Sequence, residues 1–265
     1  MSGPLMAERA LEKRVVGGFL IPEQQGAYAV YIKRKDSDGA IHVCGGSILS
    51  SEHIVTAAHC VIDSNLSVTP AADISVGYGS VELYRQTTVT VIKATVHPDY
   101  MVNGQKNRTN DIAIMQIPKL VFSGTVQRIA LYSLPIGAKE PVMAIGWGQT
   151  ETGFQSTALR GSTLVTGTVS DCKLLFSSFD ADGPLICTPG KYTPGVSSCN
   201  GDSGTGVTIN NEGTPMLAAF DSHVRWNGKR TCSAETSVHY YLHTIYHLKF
   251  IMDATGLSKK HLSTY

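Results

Sequence analysis

The sequence predicts an all-β fold, and three observations carry that reading. Glycine is abundant, with 26 residues in 265. Short runs rich in β-branched residues recur at strand length, and turn residues punctuate them. Residues 28–32, 74–76, 87–91, 112–117, 141–145 and 217–220 are the clearest runs. Between them lie Asp36-Ser37-Asp38-Gly39, Asn103-Gly104, Leu134-Pro135-Ile136-Gly137 and Asn227-Gly228, all turn or loop chemistry. One helix is expected, at about 241–255, where Leu242, Ile245, Tyr246, Leu248, Phe250 and Ile251 recur at roughly helical spacing and Gly256 ends the run.

A chain of 265 residues can bury a substantial core in one large domain or two smaller ones. Its 22 basic side chains nearly cancel its 21 acidic ones and only 16% of residues are charged, so no nucleic-acid partner is suggested. The opening residues, MSGPLMAERALEKR, contain no continuous apolar stretch of about 7–15 residues of the kind a secretory leader needs. No later stretch has the length to cross a bilayer, so no membrane partner is expected either.

The cysteines are Cys44, Cys60, Cys172, Cys187, Cys199 and Cys232, with no CxxC pair among them. Disulfides fit better than a zinc ribbon or a dithiol redox motif, although spacing alone cannot choose the pairing. Disulfides in turn imply an oxidising compartment and a secreted, extracellular protein. Asn65-Leu66-Ser67 and Asn107-Arg108-Thr109 are sequons compatible with that address, which makes Asn65 and Asn107 glycosylation candidates.

Chemistry concentrates in three segments. Cys199-Asn200-Gly201-Asp202-Ser203-Gly204 surrounds a serine with small residues that let backbone amides approach a substrate. A hydroxyl is a poor nucleophile at neutral pH and needs a base, and that base needs a group to hold its tautomer. His59, in Ile54-Val55-Thr56-Ala57-Ala58-His59-Cys60, follows an apolar strand and adjoins a cysteine that can pin its loop. Asp111, in Thr109-Asn110-Asp111-Ile112-Ala113-Ile114, stands at the mouth of another apolar strand, where a half-buried carboxylate requires a partner such as an imidazole N–H. The other histidines read as structural. His239, His243 and His247 are spaced by four, as on a metal-binding face, but the interleaved Tyr240, Tyr241 and Tyr246 fit a packed surface helix better, and no metal is expected.

Val55-Thr56-Ala57-Ala58-His59-Cys60, Asn110-Asp111-Ile112-Ala113 and Gly201-Asp202-Ser203-Gly204 resemble the histidine, aspartate and nucleophile motifs of the trypsin and chymotrypsin family, in that family's order. Val15-Val16-Gly17-Gly18, Cys44-Gly45-Gly46-Ser47 and Gly146-Trp147-Gly148 extend the likeness from residue 15 to the final helix. The resemblance implies two packed six-stranded antiparallel β-barrels, at about 28–125 and 135–240, with a C-terminal helix and a cleft between the barrels. It implies the pairs Cys44–Cys60, Cys172–Cys187 and Cys199–Cys232. His59, Asp111 and Ser203 become the catalytic triad of a serine endopeptidase, and the N–H groups of Gly201 and Ser203 its oxyanion hole. No cofactor is called for. Expected partners are protein or peptide substrates and protein protease inhibitors, with the enzyme itself a monomer.

The resemblance also implies a zymogen. Residues 1–14 would be a propeptide, removed by an activating protease after Lys13-Arg14, and the freed Val15 ammonium would pair with buried Asp202. Two departures stand out. Thr205-Gly206-Val207 replaces the family's Gly-Pro-Leu after the nucleophile, and Ser222-His223-Val224 replaces its substrate-binding Ser-Trp-Gly. The pocket floor falls on Ser197, a neutral residue, which ranks an apolar side chain first; Val224 in the wall narrows the entrance, and the choice between small and aromatic side chains stays open. Asp221, beside Ser222, makes a basic side chain the second choice. The reading from another class is a protease-like binding protein that keeps the fold without cutting, and the intact triad argues against it.

Overall fold

The computed structural model describes residues 18–264 except 103, 151, 229–230 and 233–234. The expected cleavage site, with Arg14 and Val15, lies outside the described residues.

Among the described residues sixteen strands build the fold, and the β-branched runs anticipated from the sequence fall within them or overlap them closely. The first half of the chain contributes β1 (Phe19–Leu20), β2 (Ala29–Lys35), β3 (Ile41–Ser50), β4 (His53–Thr56), β5 (Ile74–Tyr78), β6 (Thr87–Thr90), β7 (Lys93–Val96), the small hairpin of β8 (Met101–Val102) and β9 (Gln105–Lys106), and β10 (Ala113–Gln116). The second half contributes β11 (Pro141–Gly146), β12 (Arg160–Val165), β13 (Leu185–Pro189), β14 (Gly206–Asn211), β15 (Thr214–Trp226) and β16 (Ser237–His243).

One sheet runs β6-β5-β2-β3-β4-β10-β7, all neighbours antiparallel. Its two edges are consecutive halves of one bent run. The Val91 N–H donates to Ile74 O at 3.0 Å on one side of the bend, and the Ile92 N–H to Gln116 O at 2.8 Å on the other. The sheet therefore wraps back on itself as a barrel, which removes exposed edges. The other sheet runs β1-β12-β11-β14-β15-β16-β13. Here the Gly167 N–H, just past β12, reaches the Cys187 carbonyl in β13 at 2.8 Å and draws the far strands together. A continuous buried core joins both sheets and includes Ile32, Ile54, Ile112, Trp147, Phe220 and Tyr240.

The C-terminal region differs from the expected helix at about 241–255. Strand β16 continues through His243, a 3-10 turn covers Thr244–His247, and the helix proper is Leu248–Thr255, closed by Gly256 in the left-handed conformation at φ 71°. Val238, Tyr240, Tyr241 and Leu242 are buried between β13 and β15, and β-branched and aromatic residues flanked on both sides by strands are held extended. His239, His243 and His247 consequently sit in the interior, not on a surface helix. Four residues along a strand span roughly 13 Å, and among the described residues these three bring no trio of metal-ligating atoms together.

That burial leaves an electrostatic signature. Burial is the largest cause lowering six histidines, four of them strongly: His223 to about 3 and His239, His243 and His247 to about 4. The same cause raises two carboxyls, Asp202 to about 7 and Asp221 to about 6. In the unfolded chain the histidines take up protons below about 6.5, so their contribution is complete above that pH and lost as pH falls toward 4. The raised carboxyls act oppositely, favouring the folded state below their unfolded value and losing that contribution as pH rises toward 6–7. Four histidines outweigh two carboxyls, and stability is expected to fall on acidification from pH 6 to 4.5 by on the order of 2 kcal/mol per pH unit. Urea unfolding midpoints across that range measure it. His243→Gln should flatten the slope, and a midpoint independent of pH would contradict the account.

Candidate active site

His59 lies in a 3-10 turn, Ala58–Cys60, directly after β4. Two devices hold that turn. The disulfide Cys44–Cys60 ties it to β3, and the Arg34 guanidinium donates to the His59 carbonyl at 3.0 Å and also to that of Ile62. Asp111 follows a second 3-10 turn, Arg108–Asn110, capped by the Asn107 side chain, and precedes β10. Because β10 pairs with β4, Ala113 opposite Thr56, the shared register brings the two turns together at one end of the barrel.

Asp111 is fully buried and receives three hydrogen bonds. The His59 backbone N–H donates to one carboxylate oxygen at 3.0 Å, while His59 Nδ1 lies 2.8 Å from the other. The Ser222 hydroxyl donates to that second oxygen at 2.7 Å. Burial alone would raise this carboxyl, but the facing imidazole and the hydrogen bonds from His59 and Ser222 outweigh it and hold it at about 2. An ionised Asp111 fixes the proton of His59 on Nδ1 and leaves Nε2 as a base. Ser222, expected in the specificity pocket, lines the cavity with Ser203 and also donates its hydroxyl to the buried carboxylate. The cause is a β-bulge in β15. Asp221 stands opposite Tyr241 and His223 opposite Tyr240, so Ser222 is the extra residue and its side chain is redirected.

Ser203 lies on the second barrel and lines a cavity with Ser198, Cys199, Ser222, Val224 and His239 among others. Its carbonyl accepts from the Gly45 N–H at 2.8 Å, and Gly45 is next to Cys44, so the nucleophile segment is tied to the strand whose disulfide holds the His59 turn. Thr205 fits for a complementary reason. A Cβ on Gly45 would stand 2.1 Å from the Thr205 Cγ2, so the bulk added on one strand occupies space that glycine leaves on the other. Gly201 has φ 95°, a conformation costly for other residues. Among the described residues neither the Gly201 nor the Ser203 N–H is taken up by another group, whereas Asp202, Gly204 and Thr205 N–H all donate within the fold.

Asp202 turns inward. Its carboxylate accepts from the Gly148 N–H at 2.7 Å and the Cys199 N–H at 2.8 Å, and among the described residues no cation faces it. The disulfides Cys172–Cys187 and Cys199–Cys232 form as the family resemblance implied. Ser197 is buried, but its hydroxyl donates to the Cys232 carbonyl and it is not part of the cavity lining. His239, read from the sequence as structural, does line the cavity, because β15–β16 pairing sets it opposite Val224. No sequence signal short of that register could have found it. His223 stacks on Tyr240 with ring centroids 4.9 Å apart. A larger cavity, about 500 Å³, is elsewhere, lined by Ile21, Tyr28, Met143 and Pro215 among others, and shares no residue with this cleft.

The sulfurs of Cys44 and Cys60 approach the His59 imidazole as a metal trio would, but they are bonded to each other and offer no thiolate. Asn65 is exposed, whereas the Asn107 carbonyl oxygen is engaged by both the backbone and the hydroxyl of Thr109. Among the described residues no helix is long and apolar enough to cross a membrane.

Comparison with known proteins agrees with this geometry. A family model described as Trypsin matches residues 15–245. The serine protease SP24D of Anopheles gambiae is 32% identical over 201 residues, which are 75% of this chain and 69% of that protein. Ovochymase of Halocynthia roretzi is 30% identical over 208 residues, 77% of this chain but 13% of that protein. Phenoloxidase-activating factor 3 of Holotrichia diomphalia is 31% identical over 194 residues, 66% of this chain and 54% of that protein. The chain thus spans most of the first relative and about half or less of the other two. With two antiparallel β-sheets meeting at the His59–Asp111 pair and the match running from residue 15 to 245, the chain belongs to the trypsin/chymotrypsin-like serine protease family.

Proposed function

We propose that the chain is a secreted serine endopeptidase made as a zymogen, with His59, Asp111 and Ser203 as its catalytic triad. The observation that carries this reading is the fully buried Asp111, which binds His59 Nδ1 at 2.8 Å beside a cleft lined by Ser203. His59 takes the Ser203 proton as the hydroxyl attacks a peptide carbonyl, then delivers it to the leaving amine. The C–N bond breaks and an acyl-enzyme forms. Water then attacks that ester with His59 again as base, releasing the acid and restoring Ser203. The N–H groups of Gly201 and Ser203 receive the developing oxyanion, a stabilisation worth about 3 kcal/mol per donor in such enzymes.

Three disulfides favour an oxidising, extracellular setting, and exposed Asn65 is the better placed of the two glycosylation candidates. Protein substrates are the proposed partners, as the name phenoloxidase-activating factor suggests for a relative. The zymogen reading draws support from Asp202. A carboxylate buried there and pushed up to about 7 gains most from a cation, and a Val15 ammonium freed by cleavage after Arg14 supplies one.

Two experiments test the proposal. Ser203→Ala and His59→Ala in the processed protein should each lower peptide turnover by roughly 10⁴-fold or more, and the double variant should lose little beyond either single one, because the residues act as a unit. Multiplicative losses, or turnover surviving in Ser203→Ala, would overturn the triad assignment, and processed protein without any turnover would favour a binding protein that keeps the fold without cutting. An Arg14→Gln precursor, left uncleaved, should stay inactive although its triad is complete. Full activity in that variant would overturn the zymogen reading.

A further inference from the structure

His223 stands where the family has the tryptophan of its substrate-binding Ser-Trp-Gly, and the proposed catalytic cycle gives it no role. Its ring stacks on that of Tyr240 with 4.9 Å between centroids and 13° between planes, and Phe176 meets it edge-on at 6.2 Å. Tyr240 is itself fully buried and its hydroxyl donates to the Cys172 carbonyl at 2.7 Å, so the platform under the imidazole is anchored. Neighbouring side chains on a regular strand point to opposite faces. The bulge at Ser222 breaks that alternation, and His223 Nδ1 lies 3.2 Å from the hydroxyl oxygen of Ser222, the residue just before it. That same hydroxyl donates to Asp111 at 2.7 Å.

Three protonation states are open to this imidazole, and the surroundings exclude two of them. Asp111, held at about 2, is ionised and can only accept. The single Ser222 proton is therefore spent on the carboxylate, and Ser222 Oγ presents a lone pair to His223. With its proton on Nε2, His223 would turn a second lone pair toward that oxygen. It would also bury a donor, because Nε2 is buried and has no hydrogen-bond partner among the described residues. A doubly protonated ring buries the same orphan N–H and adds a charge. Burial, then the charges of Arg108, Arg225 and His59, oppose that charge against the pull of Asp111, and the ring stays neutral down to about pH 3. The state that remains has Nδ1–H donating to Ser222 and a bare lone pair at Nε2.

We infer that His223 is a positioning residue for Asp111: its Nδ1–H donates to Ser222 Oγ and so commits the Ser222 proton to the carboxylate. This rests on the protease reading above, with Asp111 as the third member of the triad. A hydroxyl otherwise turns about its C–O bond, and in the opposite tautomer of His223 the lone pair at Nδ1 would compete with Asp111 for the same proton. Asp111 would then keep only the two donors of His59. Donors in series also polarise one another, which strengthens the bond that reaches the charge. The family's tryptophan carries carbon at the ring position of Nδ1 and cannot act in this way, so the substitution adds a link from the substrate strand to the triad.

The tautomer can be read without turnover. Proton–nitrogen correlation spectra of isotope-labelled, processed Ser203→Ala protein at neutral pH should show His223 protonated at Nδ1 and bare at Nε2. Adding Ser222→Ala should release the ring toward the Nε2–H form. An Nε2–H ring in the Ser203→Ala protein, or an Nδ1–H ring that persists without the Ser222 hydroxyl, would overturn the inference. Kinetics supply the second test. His223→Phe keeps a flat ring on Tyr240 but removes the donor, whereas His223→Asn loses the ring and offers an amide N–H near the place of Nδ1. His223→Phe should lower kcat about fivefold, the scale of one hydrogen bond, and His223→Asn should recover most of that loss. If the ring served packing alone, Phe would be the milder change, and that order would overturn the inference. Processed protein without substitutions that cuts no peptide would count instead against the protease reading, and the spectra would still decide the tautomer.

Discussion

The ionised, fully buried carboxylate of Asp111 is the constraint around which the molecule is arranged. A lone charge in that position would be untenable, so three donors must converge on it. Two come from His59 on the first barrel and the third from Ser222 on the second. Satisfying one charge therefore fixes the rotation of one barrel against the other, the tautomer of His59 and the bulge in β15. The Gly45–Ser203 hydrogen bond acts across the same seam, and the Cys44–Cys60 disulfide anchors the first-barrel side of it. Removing any one donor would leave part of a buried charge unsolvated, and the geometry of the cleft would relax with it.

A second buried carboxylate, Asp221, lies within electrostatic reach of Asp111, and a third, Asp202, within reach of Asp221. Asp202 and Asp221 are both raised, first by burial, and each is raised further by a neighbouring carboxylate. Of these three carboxylates, only Asp111 is hydrogen-bonded by an imidazole among the described residues. In the proposed reading Asp202 receives its cation from the new chain terminus on activation.

The sequence revealed the reacting groups more readily than their surroundings. Each of the segments around His59, Asp111 and Ser203 is local, so its residue types could be recognised without knowing what lay opposite. Long-range complementarity was hidden. Thr205 stands out in the sequence only as a departure from the family's glycine, because the space it fills belongs to Gly45, far away in sequence. Residues 237–243 carry aromatics at a spacing compatible with helix, and only their burial between β13 and β15 decides for strand. Asp221 was visible as a candidate, but its position depends on a bulge that no pattern of hydrophobic alternation announces. His239 was passed over because a histidine among tyrosines has no local mark of a cleft residue.

The claim at the centre of this account is that Ser203, His59 and Asp111 form a competent nucleophile once the chain is processed. A phosphonylating reagent that reacts only with activated serines, followed by peptide mass mapping, tests it directly. The account predicts near-stoichiometric modification of Ser203 after cleavage at Arg14 and little in the uncleaved precursor. Correctly processed, folded protein that resists modification at Ser203 would contradict it.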